Sequence, residues 1–309
     1  MATVYVETPH NYSAMEPYVL TDKKVVAEQI SSAERLYFYD TCAFRKHAHL
    51  PHPEWLFSFI KRNKGTVVLT RCILMELASK SGILDGSYVD YFKKLYADGI
   101  TVLLLDEEDL FTVLSECFSS NELINRFLSF AVKTVKNPVS TIESTLKATK
   151  PLLKEVIVDV PADGGVFRRF FSAVRGNKES GDNLGEELLA ICVHLLSNLP
   201  DRTEYKYFIL TEDKGAVGVI NKAVSNVHEH SGVWRFSALT TPKLAQCFYE
   251  ENIICEQAQV EELLLVDNAS GTLNVFATER YDLERKEKHF SCTDLAKKIV
   301  TKDAIHLYF

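Results

Sequence analysis

The sequence lacks the cysteine patterns of disulfide-stapled and zinc-ribbon proteins. Its seven cysteines are an odd number scattered over 309 residues, and no two of them form a C-x-x-C pair. A disulfide framework needs an even set of cysteines, and a zinc ribbon needs closely spaced pairs. The sequence therefore argues against both scaffolds and favours a reducing compartment.

Long hydrophobic runs are missing too. No apolar run approaches the roughly 18 residues that a membrane helix requires, and the first 20 residues lack the basic segment and apolar core of a secretory signal. We therefore expect a soluble, cytoplasmic protein without a membrane partner. Hydrophobic content of 46% and charged content of 25% are those of an ordinary globular protein.

An excess of positive charge is absent from the chain as a whole but present locally. The net charge of −7 argues against a protein that coats nucleic acid over its whole surface, yet residues 131–178 carry nine basic and four acidic residues. Basic and aromatic residues alternate at the end of this stretch: Phe167, Arg168, Arg169, Phe170, Phe171, Arg175 and Lys178. They predict a nucleic-acid-binding surface, with charges on phosphates and rings on bases. The alternative is a helix with aromatic residues in the core and arginines in solvent.

Short apolar runs predict the interior strands of a sheet. They are Leu36 to Tyr39, Val67 to Leu69, Ile100 to Leu105 and Tyr207 to Leu210. Each run is too short for a helix, and most are separated by segments of helical character, which is typical of an α/β fold with a parallel sheet. A long helical stretch is expected from about 121 to 155, and GEELLAICVHLLSNLP predicts a helix inside the core.

The last part of the chain has a different character. It contains the strand-like TLNVFATE at 272–279, a charged RYDLERKEK and the short helix candidate CTDLAKKIV. We expect a small C-terminal extension of α+β type.

Acidic residues follow the predicted strands or begin the helices after them. Asp40 ends the aromatic run RLYFYD, Glu76 lies in the helix after the second strand, and Asp213 follows the fourth strand. The carboxyl ends of parallel strands line one crevice, where ligands usually bind. Glu186 and Glu187 begin the interior helix, and only one of two consecutive helical residues can point squarely at that crevice.

Carboxylates gathered without a basic partner would repel one another and raise each other's pKa. A divalent cation removes this conflict, and oxygen-only ligand sets suit Mg²⁺ or Mn²⁺. Such an ion can activate a water molecule for phosphodiester cleavage. Each residue also has an ordinary interpretation: Asp40 as a helix N-cap, Glu76 as the solvated edge of a helix, and Asp213 as part of the turn TEDKG.

The order of these blocks resembles that of the PIN domain nucleases over roughly residues 33–248. The blocks are strand-Asp-Thr, a strand followed by a helix with Glu, the GEELLA helix start, and strand-Thr-x-Asp-x-Gly. The resemblance implies a three-layer α/β/α fold with a central parallel sheet and an acidic quartet that binds Mg²⁺ or Mn²⁺. It implies Asp40, Glu76, Glu186 and Asp213 as catalytic metal ligands, Glu187 and Asp182 as alternatives for the third position, and Thr41 and Thr211 as supporting hydroxyls.

One departure from the family is the length of the middle of the chain. Asp106 and Glu186 are 80 residues apart, which predicts a helical, basic insertion over about 120–178. The expected organisation is an N-terminal segment over 1–32, a PIN-like nuclease domain over 33–248 and the extension over 249–309.

The function that the resemblance implies is metal-dependent endonucleolytic cleavage of single-stranded or structured RNA by a metal-activated water. A catalytically silent PIN-like scaffold that binds RNA or protein is the first alternative. A structure-specific DNA nuclease ranks lower because the helical arch and helix-hairpin-helix of that relative have no clear counterpart. A regulatory protein that blocks the crevice, or an oligomer, is compatible with the favoured function.

Overall fold

The computed structural model describes residues 4–135, 140–200, 204–232, 234–266, 270–301 and 304–309. Within them the strands are β1 (Arg35–Tyr39), β2 (Gly65–Thr70), β3 (Val102–Leu105), β4 (Tyr207–Leu210), β5 (Phe236–Leu239), β6 (Thr272–Glu279), β7 (Asp282–Ser291) and β8 (Ile305–Leu307). The first five form a parallel sheet in the order β3-β2-β1-β4-β5, and the last three form an antiparallel sheet in the order β7-β6-β8.

The α-helices of the described residues lie between the strands of the parallel sheet and after them, and six of them, α6 to α11, follow one another between β3 and β4. They are α1 (Lys23–Ser32), α2 (Thr41–His47), α3 (Pro53–Arg62), α4 (Arg71–Leu77), α5 (Gly86–Ala97), α6 (Leu110–Ser115), α7 (Asn121–Thr134), α8 (Thr141–Ala148), α9 (Lys150–Leu153), α10 (Val166–Gly176), α11 (Leu184–Leu196), α12 (Lys214–Ser231), α13 (Thr241–Glu250), α14 (Gln257–Leu265) and α15 (Cys292–Val300). The predicted α/β class and parallel sheet are confirmed, and the arrangement is consistent with three layers.

The middle of the parallel sheet is built from the aromatic run. Tyr37, Phe38 and Tyr39 in β1 are fully buried, and β1 pairs with β2 on one side and β4 on the other. Strands buried on both faces read as continuous apolar runs, which is why four of them could be predicted from sequence. The fifth strand, β5, was not predicted.

The strand order changes direction between β1 and β4. From β1 the chain winds outward through β2 to β3, whereas β4 and β5 lie on the opposite side. A crevice opens outside the carboxyl ends of the strands at such a switch point. The residues that follow β1 and β4 therefore face each other across the place where α/β proteins usually bind ligands.

Helices occupy most of the region predicted as an insertion, although residues 136–139 of that region lie outside the described residues. The single stretch expected from 121 to 155 is divided, and Pro151, which lacks a backbone N–H, lies in the first turn of α9. In α10 the three aromatic residues Phe167, Phe170 and Phe171 are buried in the same core as the sheet. The alternative interpretation of this stretch, a helix with its aromatic residues in the core, therefore holds for the aromatic residues.

The N-terminal segment covers the β3 edge of the parallel sheet. The N–H of Leu20 donates to the carbonyl of Val102 at 2.8 Å, and Leu104 N–H donates back to Leu20 at 2.9 Å. This bridge occupies backbone groups that would otherwise be open to pairing with another chain.

The strands β6, β7 and β8 and the helix α15 form an α+β unit at the end of the chain, as predicted. Val275 and Ala277 of β6 and Leu307 of β8 are buried in the core that Leu295 and Ala296 of α15 also join. None of the helices in the described ranges has the length and apolarity needed to cross a membrane.

Candidate functional site

Asp40 is placed by β1 and by the start of α2. Its Oδ1 accepts a hydrogen bond from the N–H of Thr41 at 2.6 Å, and its Oδ2 accepts from the Thr211 hydroxyl at 2.8 Å. The thiol of Cys42 donates to the same Oδ2. Burial raises the pKa of Asp40, the hydrogen bonds from Cys42 and Thr211 lower it, and the charge of Glu76 raises it further, with a net rise. Asp40 is therefore the N-cap of α2 and also a member of a larger polar group.

Thr211 and Asp213 reach the same place from β4. The hydroxyl of Thr211, which donates to Asp40, accepts from the N–H of Asp213 at 3.0 Å. Oδ1 of Asp213 in turn accepts from the N–H of Gly215 at 2.6 Å and caps α12. One hydroxyl thus fixes the spacing between the residues that follow β1 and β4.

Glu76 joins from the last turn of α4. Its Oε2 accepts a hydrogen bond from the hydroxyl of Thr41, so both predicted supporting threonines contact predicted acidic residues. The first turn of α11 packs directly on this carboxylate: a methyl group on Gly185 would lie 2.8 Å from Oε1 of Glu76. A larger residue at position 185 would therefore push the Glu76 carboxylate away from its present place.

Glu186 is the fourth carboxylate at this place, and its surroundings disfavour its negative charge. It is the one residue of α11 that is not fully buried. Burial and the negative charges of Asp40, Glu76 and Asp213 together raise the pKa of Glu186 to about 7. The structure therefore brings the four carboxylates together, and we name Asp40, Glu76, Glu186 and Asp213 the acidic cluster.

Sequence reasoning missed the cation beside this cluster. The Nζ of Lys178 lies 2.9 Å from Oε1 of Glu76 and forms a second ion pair with Asp182. The Lys178 side chain is only 3% exposed, and its ammonium lies 5.4 Å from the ring centre of Tyr5. Burial alone would lower the pKa of Lys178, but the charge of Glu76 and the hydrogen bond to Asp182 raise it above its ordinary value.

The two alternatives for the third acidic position have other roles. The carboxylate of Glu187 is buried and accepts from the backbone N–H of Ile142 at 3.1 Å, at the start of α8. Asp182 holds Lys178 and also accepts from the N–H groups of Glu179 and Leu184, so it orders the turn before α11. Of the three candidates, Glu186 is the one that faces the other carboxylates.

The four basic residues predicted to bind nucleic acid do not share one surface. Arg175 is 2% exposed at its side chain and pairs with Glu107 at 2.6 Å and Glu108 at 2.7 Å. Arg169 pairs with Glu155 and Asp163. Arg168 is exposed on the same helix, α10. Burial removes Arg175 and Lys178 from any phosphate-binding surface in this conformation, and the aromatic residues between them are in the core.

The chain matches no protein-family model, no curated protein and no solved structure. The PIN-like identity of the fold stays a prediction that depends on the residues after β1, β2 and β4 and at the start of α11.

The acidic cluster is not arranged as a finished metal site. Within the described ranges of the chain, no group of three His, Cys, Asp or Glu side chains could hold a metal ion as it stands. The physical reason is visible in the contacts: Asp40 is engaged by hydroxyl, thiol and N–H donors, and Glu76 by Lys178. The donors are nevertheless all carboxylate oxygens, the ligands that Mg²⁺ and Mn²⁺ prefer.

Proposed function

We propose that this chain is a metal-dependent endoribonuclease that hydrolyses RNA in the crevice at the carboxyl edge of the parallel sheet. The observation that supports this most is the environment of Glu186. A carboxylate whose pKa is raised to about 7 by burial and by three other carboxylates is only partly ionised at neutral pH, and a bound cation would relieve that cost. A phosphodiester substrate brings further negative charge to the same place, so a cation there serves both partners.

The residues fit one divalent ion better than two. Asp40, Glu186 and Asp213 would hold Mg²⁺ or Mn²⁺, because Lys178 already neutralises Glu76. A bound ion of this type activates water and stabilises the leaving oxygen of a phosphodiester.

The chain's own groups orient the reaction. Thr211 holds the Asp40 carboxylate and the backbone of Asp213, so the residues from β1 and β4 keep their relative position. Thr41 links Glu76 to the start of α2 in the same way. Helices α2 and α12 begin at this crevice. The partial positive charge of a helix N-terminus favours a phosphate group there.

The test is cleavage of a labelled single-stranded RNA in Mn²⁺ and in EDTA. The site variants are Asp40→Asn, Glu186→Gln and Asp213→Asn, and the matched control is Asp22→Asn. Asp22 caps α1 by accepting from Lys24 and Val25 N–H, so the control makes the same chemical change at an N-cap outside the cluster. Asparagine caps helices about as well as aspartate, so folding should be kept.

We expect the wild type and the Asp22 variant to cleave RNA in Mn²⁺ only, and each site variant to be slower by roughly a hundredfold or more. Equal rates for the wild type and the Asp40 variant in Mn²⁺ would overturn the proposal. Branched and single-stranded DNA in parallel reactions distinguish a DNA nuclease, which would prefer the branched substrate.

A catalytically silent scaffold is the second candidate, and the Lys178–Glu76 ion pair favours it. That pair neutralises one carboxylate of the cluster without any metal. A silent scaffold predicts that RNA stays intact in Mn²⁺ and that Mn²⁺ does not raise the melting temperature. The endoribonuclease predicts the opposite results: Mn²⁺ supports cleavage of the RNA and raises the melting temperature, since an ion that binds only the folded state stabilises it.

A further inference from the structure

The antiparallel sheet has one covered face and one open face. Along β6, Val275 and Ala277 are buried, whereas Asn274, Phe276 and Thr278 point to the other side. Residues directly opposite each other in antiparallel strands share a face, and the register places His289 opposite Asn274 and His306 opposite Thr278. We define the open face by six residues: Asn274, Phe276, Arg285, His289, His306 and Tyr308.

Aromatic rings and one guanidinium are stacked on this open face. The rings of Phe276 and Phe309 are parallel to within 6°, with centroids 5.4 Å apart. The Cζ of Arg285 lies 4.0 Å from the centre of the Tyr308 ring and 5.4 Å from that of Phe276. Rings that are already ordered, half-exposed and next to a cation suit planar, negatively charged ligands, because little side-chain freedom is lost on binding.

Among the six residues that define the open face, the charged side chain is Arg285. Glu287 of β7 pairs with Lys214 at 2.5 Å, so these two charges cancel. Arg285 is exposed and has aromatic partners. Lys243 and Arg285 are close enough to His306 that, after burial, their charges help to lower the pKa of His306, against an opposing effect of Glu250. Glu250 offsets Lys243, so the surplus is the single charge of Arg285, which complements one phosphate group.

The open face is joined to the chain segment that follows Asp213 of the acidic cluster. A small cavity of about 90 Å³ is lined by Asn274 and Phe309 together with Lys46, Glu212 and Lys214. Lys214 directly follows Asp213 of the cluster. The ion pair between Lys214 and Glu287 also ties β7 to the start of α12. The start of α12, which Asp213 caps, is thus the connection between the antiparallel sheet and the acidic cluster.

We propose that the open face binds single-stranded RNA and guides it into the acidic cluster, a proposal that rests on the endoribonuclease function above. Unpaired bases extend the existing stacks of Phe276 with Phe309 and of Tyr308 with Arg285, and the Arg285 guanidinium contacts phosphate. Residues 274 to 278 of β6 span about 13 Å at the rise of a strand, which accommodates the two or three bases that sheet platforms typically stack.

The test separates binding from cleavage. Binding of a fluorescein-labelled single-stranded RNA to the full chain is measured by anisotropy in an Asp40→Asn background and in EDTA, two conditions that each suppress cleavage. Arg285→Gln is compared with Arg280→Gln, because Arg280 is an exposed arginine of the same extension that stacks on Tyr281 instead. Tyr308→Ser removes a ring without changing charge, and thermal melting checks that each variant is folded.

We expect Arg285→Gln and Tyr308→Ser each to weaken RNA binding by on the order of tenfold. Arg285→Gln should also reduce the slope of log K against log salt by about 0.7, the value for one phosphate contact on a single strand. Arg280→Gln should change neither.

Identical RNA affinities for the Arg285 and Arg280 variants would overturn the guiding surface, and so would binding of duplex RNA in preference to single strands. Neither result bears on the proposed hydrolysis of RNA, which the cleavage assay measures separately. If the open face binds RNA as expected but the wild type leaves it intact in Mn²⁺, the binding surface stands and the endoribonuclease fails.

Discussion

The ammonium of Lys178 lies 2.9 Å from Oε1 of Glu76, so the acidic cluster contains a cation supplied by the chain itself. The two residues are about a hundred positions apart in sequence, and Asp182 completes the ion-paired group. Four carboxylates placed together without any positive charge would destabilise the folded state. This lysine relieves part of that cost, which is why we expect a single divalent ion.

The first prediction concerns this lysine. Lys178→Met should lower the free energy of unfolding in EDTA by about 2 to 3 kcal/mol, because the partly buried Glu76 and Asp182 then lack a counter-ion. Mn²⁺ should recover part of the loss and bind with a higher stoichiometry than in the wild type. Chemical denaturation and calorimetric titration with Mn²⁺ measure both.

The control is Lys214→Met, which removes an exposed lysine that pairs with Glu287. Its cost should stay below about 1 kcal/mol, as for other exposed ion pairs. Similar losses in the two variants, or an unchanged number of bound ions in the Lys178 variant, would show that Lys178 does not substitute for a cation.

The second prediction follows from the raised pKa of Glu186. Its pKa is about 7 in the folded, metal-free protein against an ordinary value of 4.5, so the folded state binds the proton more tightly than the unfolded state. The contribution of Glu186 to stability in EDTA must then fall as pH rises from about 4.5 to 7.

Glu186→Gln removes this dependence. The substitution should raise the free energy of unfolding at pH 8 in EDTA by on the order of 1 to 2 kcal/mol, less than the full shift implies because the carboxylate is partly solvated. It should give no gain at pH 4. The exposed Glu16→Gln is the control; an equal effect of both variants at pH 8 would refute the unusual environment of Glu186.

The third prediction separates structural from surface arginines of α10. Arg175→Met should destabilise the protein by roughly 3 to 5 kcal/mol, since it leaves the buried Glu107 without its cation. Arg168→Met, on the exposed side of the same helix, should change stability by no more than about 0.5 kcal/mol. Urea denaturation measures both, and a small loss for Arg175→Met would contradict its buried role.

The fourth prediction concerns the hydroxyl that links β1 to β4. Thr211→Val should cost about 1 to 3 kcal/mol, because Asp40 loses a donor and the N–H of Asp213 loses an acceptor. RNA cleavage should fall as well, since the two carboxylates lose their common support. Thr211→Ser keeps the hydroxyl and should retain both stability and cleavage; if serine fails as valine does, packing of the methyl group matters more than the hydrogen bonds.

Local sequence was enough where one periodicity dominates. TLNVFATE alternates between the two faces of a sheet and forms β6 over the predicted residues, and CTDLAKKIV has one apolar side and forms α15. The neighbouring DLERKEKHFS was not predicted as a strand because it is mostly charged. It is nevertheless β7, since an edge strand open to water needs only the backbone of β6 as a partner.

The acidic cluster could be predicted because it depends on strand ends. Residues that follow parallel strands meet at one edge of the sheet whatever lies between them in sequence, and this brought Asp40 and Asp213 together. The position of Lys178 has a different origin, because this residue does not follow a strand. It reaches Glu76 because α11 packs against α4 and brings the turn before α11 beside the end of α4, and no local pattern encodes that packing. Its spacing of four residues from Asp182 was the available signal of an ion pair.

The most direct test of the central claim is the chemistry of the RNA ends. Wild-type protein and the Asp40→Asn variant are incubated with a labelled single-stranded RNA in Mn²⁺ and in EDTA, and the fragments are analysed for their terminal groups. Hydrolysis by a water activated at the acidic cluster predicts 5′-phosphate and 3′-hydroxyl ends, formed by the wild type in Mn²⁺ only. Intact RNA in Mn²⁺, or 2′,3′-cyclic phosphate ends that form equally in EDTA and with the variant, would contradict it.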